Sequence, residues 1–304
     1  MAAPRILVIK LGALGDIVQA LGPMAAIRRH HADARIVLLT SEPFAEFLGR
    51  SPYADEVWID DRPRHLNLLS ILRLRRRLIG GGFARVYDLQ TSDRSSFYHR
   101  LMGPGARPDW SGVAPGASHR HMGSERERMH TLDRQREQLR IAGIAEVPPP
   151  DLSWIEADLR GFGLPERYAV LVPGGAPHRP EKRWPIERYQ ALAALLERRG
   201  VAPVTIGGAA ERALGAAIPA ARDLTGHTSF AEVAAIGRRA LWAIGNDTGP
   251  MHLLVAAGAP ATVLYSAASD PALTAPRGER VTVLRRDTLA DLSVEEVAAT
   301  LAIG

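Results

Sequence analysis

The chain has 304 residues, 46% of them hydrophobic and 6% aromatic, and no cysteine. That apolar content excludes a disordered chain, and the missing thiols exclude a disulfide framework and a thiolate metal site. The formal charge of +5 is one-sided: residues 1–152 hold 22 Lys and Arg against 17 Asp and Glu, while residues 153–304 hold 16 against 16, so an anionic partner is expected at the first half.

The first apolar run, Ile6 to Ile9, is too short for a signal peptide or a membrane span. A cytoplasmic protein is therefore expected. Strand-like runs follow at Arg5–Lys10, Arg35–Thr40, Glu56–Ile59 and Arg85–Leu89. Asp16–His30 reads as one helix. Leu66–Ile79, with Arg73, Arg75, Arg76 and Arg77 among leucines, reads as an amphipathic basic helix. It is either a solvated face or a peripheral contact with a membrane surface. Aromatic residues are not interleaved with this basic run, so nucleic-acid binding by stacking is not expected. Trp110–Arg140 reads as irregular, with a helix from about His130.

Val147-Pro148-Pro149-Pro150 makes a stiff linker, since consecutive prolines continue neither a helix nor a central strand. It divides the chain into expected domains 1–150 and 151–304. The second half offers strands at Tyr168–Pro173, Pro203–Ile206, Ala240–Gly245, Ala261–Tyr265 and Val281–Leu284. Helices are expected at Ile186–Arg199, Phe230–Arg238, Pro250–Ala257 and Val294–Ala302. Continuous Val/Ile/Leu strands alternating with helices predict parallel sheets covered on both faces. The expected architecture is α/β, two doubly wound Rossmann-like domains facing across a cleft. The last helix, about residues 293–303, is expected to pack back on the first domain.

Four segments carry candidate chemistry. Only two of the 38 basic residues are lysines, Lys10 and Lys182, and each lies in a loop-like segment. A lysine presents a compact point charge where the planar arginine fork does not fit. Leu11-Gly12-Ala13-Leu14-Gly15-Asp16 follows a strand. Asp16 is either a helix cap or a carboxylate able to take a proton from a hydroxyl. Pro173–Pro185 is a Gly/Pro-rich loop carrying Lys182. Gly207–Glu211 places an acid beyond a glycine turn, where it could hold a ribose diol or merely start a helix. In Gly245-Asn246-Asp247-Thr248-Gly249-Pro250-Met251-His252, Asp247, Thr248 or Gly249 can cap a helix whose first turn starts at Pro250. That terminus is a natural anion site. His252, one turn in, is a core histidine or a ligand group. No Asp-x-Asp, H-E-x-x-H or G-x-S-x-G occurs, so neither a divalent metal nor a serine hydrolase is expected.

In this order, the Lys10…Asp16 opening, Tyr87-Asp88-Leu89-Gln90, His130–Leu139, Lys182-Arg183-Trp184-Pro185, Gly207–Glu211 and Asp247–His252 resemble glycosyltransferase family 9, the lipopolysaccharide heptosyltransferases. The resemblance covers nearly the whole chain. It implies the GT-B fold, with the acceptor on the first domain and a sugar nucleotide, ADP-heptose, on the second. It implies that Asp16 is the general base and that Lys182 neutralises the leaving diphosphate. Thr248 and Gly249 would bind that diphosphate, Glu211 the ribose, and the backbone near His227 and Thr228 the base. Asp247, Pro250 and His252 complete the donor set. Arg94, with Lys10 and Gly15, would face the acceptor. The chain departs from the family in Pro173–Pro180, where some members carry threonines beside the phosphate.

The expected activity is inverting, metal-independent transfer, without a cofactor, to an anionic lipid-linked saccharide. A nucleotide-sugar epimerase on the same fold, and a non-catalytic binder of nucleotide sugar or lipopolysaccharide, are the alternatives. Asp16 is the one strong acid/base candidate, which disfavours the epimerase.

Overall fold

The structure is a computed structural model that describes residues 3–60, 68–103, 108–176 and 178–302. The chain forms two compact units, Met1–Pro150 and Asp151–Gly304. The first runs β1 (Arg5–Ile9), α1 (Leu14–Gln19), α2 (Leu21–His30), β2 (Arg35–Thr40), α3 (Glu42–Gly49), β3 (Glu56–Ile59), α4 (Leu68–Gly80), β4 (Phe83–Asp88), α5 (Asp93–Met102), β5 (Asp109–Gly112), β6 (His119–Arg120) and α6 (Thr131–Ile141). The second runs β7 (Tyr168–Val172), α7 (Ile186–Arg198), β8 (Ala202–Thr205), α8 (Arg212–Ala216), β9 (Arg222–Asp223), α9 (Phe230–Arg239), β10 (Trp242–Asn246), α10 (Gly249–Ala256), β11 (Ala261–Tyr265), α11 (Pro271–Thr274), β12 (Val281–Arg285) and α12 (Val294–Ala299).

Each unit holds one six-stranded sheet, ordered β3-β2-β1-β4-β5-β6 and β12-β11-β10-β7-β8-β9. The paired strands run parallel in both. Counted from its own first strand, the second sheet has the same order as the first. In such a sheet the order reverses beside the first strand, and the crevice at the carboxyl ends there is where ligands bind. That crevice lies between β1 and β4 in the first unit, and between β7 and β10 in the second. Burial explains the strand sequences: Leu7, Val37, Val86, Leu171, Ile244 and Val263 are almost fully buried, as strands covered on both faces require.

Two sequence expectations need correction. Asp16–His30 is two helices that meet at Ala20. Pro23 has no N–H to give the Gln19 carbonyl one turn back, so a single helix cannot run through. Trp110–Arg140 is not irregular up to His130. It holds the end of β5, β6 and a 3-10 turn over Ser124–Arg128 before α6. Segments of two to four residues are too short to show an alternation. The last helix, α12, joins the core of its own unit: Val294, Val297 and Ala298 share one cluster with Trp184, Tyr189 and Leu192. Of the predicted basic helix, Leu66 and Asn67 lie outside the described residues. The last predicted helix ends at Ala299, and its residue 303 also lies outside them.

Candidate functional site

In the first unit, β1 delivers the chain to the crevice at Lys10. The Lys10 backbone N–H donates to Leu39 O at 3.0 Å and its ammonium to Leu89 O at 3.2 Å. Ser41 Oγ donates to Leu11 O at 2.6 Å, and Leu11 N–H to Gln90 Oε1 at 2.8 Å. The turn between strand and helix is thus tied to the ends of β2 and β4. Gly12 adopts φ +137°, and a Cβ there would lie 2.8 Å from the Phe44 ring, so glycine is required twice over. Helix α1 begins at Leu14 with Ala13 as its N-cap. Asp16 Oδ2 accepts the Ala13 N–H at 3.3 Å, and Gly15 lies in the same first turn. Asp16 therefore caps from inside the helix while one face of its carboxylate meets open space.

That space is a pocket of about 970 Å³ lined by Asp16, Ser41, Phe44, Asp60, Gln90 and Arg94, among others. Arg94 Nε donates to Asp60 Oδ2 at 3.0 Å and to Tyr98 OH at 2.6 Å, and Tyr98 OH donates to Asp60 Oδ2 at 2.8 Å. The fully buried Asp60 side chain holds the guanidinium at the pocket wall. A second, narrower cavity of about 70 Å³ also reaches Asp16. Its lining includes Lys10, Arg126, Arg134, Gln135 and Gln138. Arg126 Nε and Gln135 Oε1 are buried there without a hydrogen-bond partner among the described residues. Burial depresses the Lys10 ammonium pKa, with Asp16 and Asp88 pulling the other way. Burial pushes the Asp88 carboxyl up to about 6, against the N–H groups of Thr91 and Gln90, the Ser95 hydroxyl and Lys10.

In the second unit the crevice is organised by Asn246, the buried last residue of β10. Its Oδ1 accepts from Trp184 N–H at 2.9 Å and Tyr189 OH at 3.2 Å. Its Nδ2 donates to Pro173 O at 3.0 Å and Gly174 O at 2.9 Å. Both ends of the loop after β7 are thereby fastened to β10. The same loop carries Lys182, within the turn Pro180–Lys182. Its Nζ lies 2.7 Å from Asp247 Oδ2, with side chains 13% and 10% exposed. Burial works to raise the Asp247 pKa, but the Lys182 hydrogen bond and charge hold it below the ordinary carboxylate range.

Thr248 is the N-cap of α10 and its side chain makes no cap hydrogen bond. Its Oγ1 is buried without a hydrogen-bond partner among the described residues. Gly249 and Pro250 form the start of the helix, so its free N–H groups and the positive end of its dipole face the crevice. Glu211 links two glycine loops: Oε1 accepts Gly175 N–H at 2.7 Å and Oε2 accepts Gly208 N–H at 2.8 Å. A Cβ on Gly174 would fall 1.8 Å from Glu211 Oε1, so only glycine permits that approach.

The predicted site residues thus fall into two groups. Lys10, Gly15, Asp16 and Arg94 gather at the first crevice. Lys182, Glu211, Asp247, Thr248, Gly249 and Pro250 gather at the second. His227, exposed, and Thr228, half-buried, lie between β9 and α9. His252 is buried inside α10. Asn246, Asp60, Tyr98, Gln90, Arg126 and Arg134 are residues the sequence reading assigned no role. Asp60, Gln90 and Asn246 had a usable signal, since each stands at or just past the carboxyl end of a strand. Among the described residues no group of three His, Asp or Glu could hold a metal ion.

Comparison with known proteins gives a consistent picture. The family model "Glycosyltransferase family 9 (heptosyltransferase)" matches residues 71–300. Lipooligosaccharide heptosyltransferase 2 of Haemophilus influenzae is 30% identical over 131 residues, 40% of this chain and 38% of that protein. The chain therefore aligns with less than half of that relative's length. The crystal structure of a family 9 glycosyl transferase from Veillonella parvula superposes with a TM-score of 0.83 at 22% identity, covering 98% of this chain and 95% of the other. The Escherichia coli heptosyltransferase WaaC, solved with ADP, superposes with a TM-score of 0.75 at 20% identity, covering 97% and 98%. At those identities the structures establish the GT-B fold, while the family model rests on more than half of the sequence. The chain belongs to glycosyltransferase family 9.

Proposed function

We propose that this chain is an inverting glycosyltransferase that moves a heptose from ADP-heptose to a hydroxyl of an anionic, lipopolysaccharide-type acceptor. The observation that carries the reading is the division of labour between the two crevices. One offers a carboxylate, Asp16, in an open pocket flanked by Lys10, Arg94, Arg126 and Arg134. The other offers an ammonium, Lys182, and a helix N-terminus beginning at Thr248. These are the two things sugar transfer needs: a base for the nucleophile and compensation for a departing diphosphate.

In this reading the acceptor hydroxyl attacks the anomeric carbon as its proton passes to Asp16. The bond from that carbon to the diphosphate oxygen breaks, and ADP leaves with the electron pair. One direct displacement inverts the anomeric centre. Lys182 has three N–H donors, of which Asp247 takes one. The remaining two, with the first N–H groups of α10 and the Thr248 hydroxyl, suit diphosphate oxygens. Glu211 keeps lone pairs free on both oxygens for a ribose diol while it fastens the glycine loops. The excess cationic charge around Asp16 suits an acceptor that bears carboxylates or phosphates. The ADP complex of a structural relative and the heptosyltransferase similarity support the donor class.

Thermal-shift titration tests the donor half. ADP-heptose and ADP are expected to raise the melting temperature by mass action, and UDP-sugars much less. Stabilisation by UDP-sugars alone would overturn the donor assignment.

A further inference from the structure

Helix α4 has two apolar faces and only one of them is covered. Leu74 and Leu78 enter the core of the first unit beside Leu7, Val86 and Phe83. At about 100° per residue, Leu68, Leu72, Leu69, Arg76 and Arg73 share the opposite arc. Those leucines are 72%, 48% and 68% exposed in the order given, and Ile59, whose carbonyl meets Arg77 of the same helix, is 39% exposed. A single exposed leucine is ordinary, but three on one helix face make a patch with a purpose.

The charge on that helix is of one sign. Helix α4 contains four arginines and no acidic residue. Arg75 and Arg77 flank the apolar arc and donate to backbone carbonyls, Leu101 O at 3.1 Å and Ile59 O at 3.0 Å. Arg77 also lies over the Trp58 ring at 4.4 Å. None of the four guanidiniums forms an ion pair with a described residue. A solvated helix face would carry Glu and Lys in place of leucines. A nucleic-acid site would have no use for the leucines. An apolar row edged by cations that pair with no described acid complements one surface in particular, a bilayer with anionic headgroups, where leucines enter the acyl boundary and arginines reach up to phosphates.

We infer that α4 docks this protein on anionic lipid, lying in the plane of the interface with Leu68, Leu69 and Leu72 inserted. No helix of the described residues is long and apolar enough to cross a membrane, so α4 lies on the surface and does not span it. The inference goes beyond the proposed reaction and does not depend on it. It also fits the site, because Ile59 both lines the Asp16 pocket and takes the Arg77 hydrogen bond.

Vesicle sedimentation of the whole protein tests it. Phosphatidylcholine vesicles with about a third phosphatidylglycerol should bind the protein at ~0.1 M salt, pure phosphatidylcholine vesicles about tenfold less or weaker, and ~1 M salt should release it. Leu68→Ser/Leu69→Ser/Leu72→Ser and Arg73→Gln/Arg76→Gln should each cut binding about tenfold with unchanged circular dichroism. If the leucine variant misfolds, the arginine variant decides, since neither side chain hydrogen-bonds or ion-pairs with a described residue. Equal binding to both vesicle types, no binding to the anionic ones, or retained binding by the variants would overturn the inference. So would self-association of the unaltered protein that the leucine variant abolishes, because the face would then belong to a second copy.

Discussion

The Lys182 ammonium and the Asp247 carboxylate lie 2.7 Å apart although 65 positions separate them in the chain. Lysine and not arginine stands here in a chain with 36 arginines and two lysines. The pair is shielded, so removing one partner strands the other. Lys182→Met is expected to cost about 1–3 kcal/mol of stability, read by urea denaturation. The paired carboxylate is held below its ordinary value near 3.8, so its contribution is present above that pH and is lost as pH falls below it. The variant should lose that acid limb. Turnover should drop about 10²–10³-fold, and Lys182→Arg should not restore it, because the planar fork cannot reproduce a point charge.

If Lys182 and the α10 terminus carry the leaving-group charge, a divalent cation has no such work left to do. Activity is then expected to survive EDTA treatment. Loss of activity on chelation, restored by added Mg²⁺, would count against this part of the account.

Asn246 uses all four of its side-chain hydrogen-bonding positions to fasten the Lys182 loop. Asn246→Ala takes the Asn246 partner from two carbonyls and one N–H in a buried place, while the Tyr189 hydroxyl keeps Val172 O at 3.1 Å. A loss of about 2–4 kcal/mol is expected. ADP affinity should weaken with it, since the loop would no longer present Lys182. Unchanged ADP affinity by calorimetry would mean that the loop holds its place without Asn246.

Burial raises the Asp88 carboxyl from 3.8 to about 6. A raised acid pKa means that the folded state binds the proton more tightly than the unfolded chain. This group's contribution therefore favours folding below about pH 4 and is lost as pH rises through about 6. Asp88→Asn can still accept the Gln90 and Thr91 N–H groups with its amide oxygen, and it removes the titration. The variant should gain on the order of 2–3 kcal/mol at pH 7 relative to pH 4. Melting curves across that range check this, and an unchanged pH slope would contradict it.

The α/β fold is legible because it depends on long, repeated patterns. Runs such as Arg35–Thr40 and Ala261–Tyr265 are continuous and apolar, and their edges coincide with the observed strands. The short strands β5, β6 and β9 carry no such pattern, and their pairing comes from tertiary position alone. Sites follow the same rule. Asp16, Lys182 and Thr248 stand in or beside turns whose glycines and prolines announce them. Arg126 is a single polar residue in unremarkable surroundings, and only folding brings it to the Asp16 cavity. The sequence of sheet order, repeated in both units, could not be read at all, because strand adjacency is not written in any local pattern.

The central claim is that Asp16 takes the acceptor's proton. It is tested most directly by Asp16→Asn, assayed for ADP release with ADP-heptose and a lipopolysaccharide-core acceptor, alongside donor binding by calorimetry. Asparagine can still accept the Ala13 N–H through its amide oxygen, so the start of α1 should persist. The account predicts that turnover falls by about 10²–10⁴-fold while donor affinity stays within about threefold. Turnover close to that of the unaltered protein would contradict it.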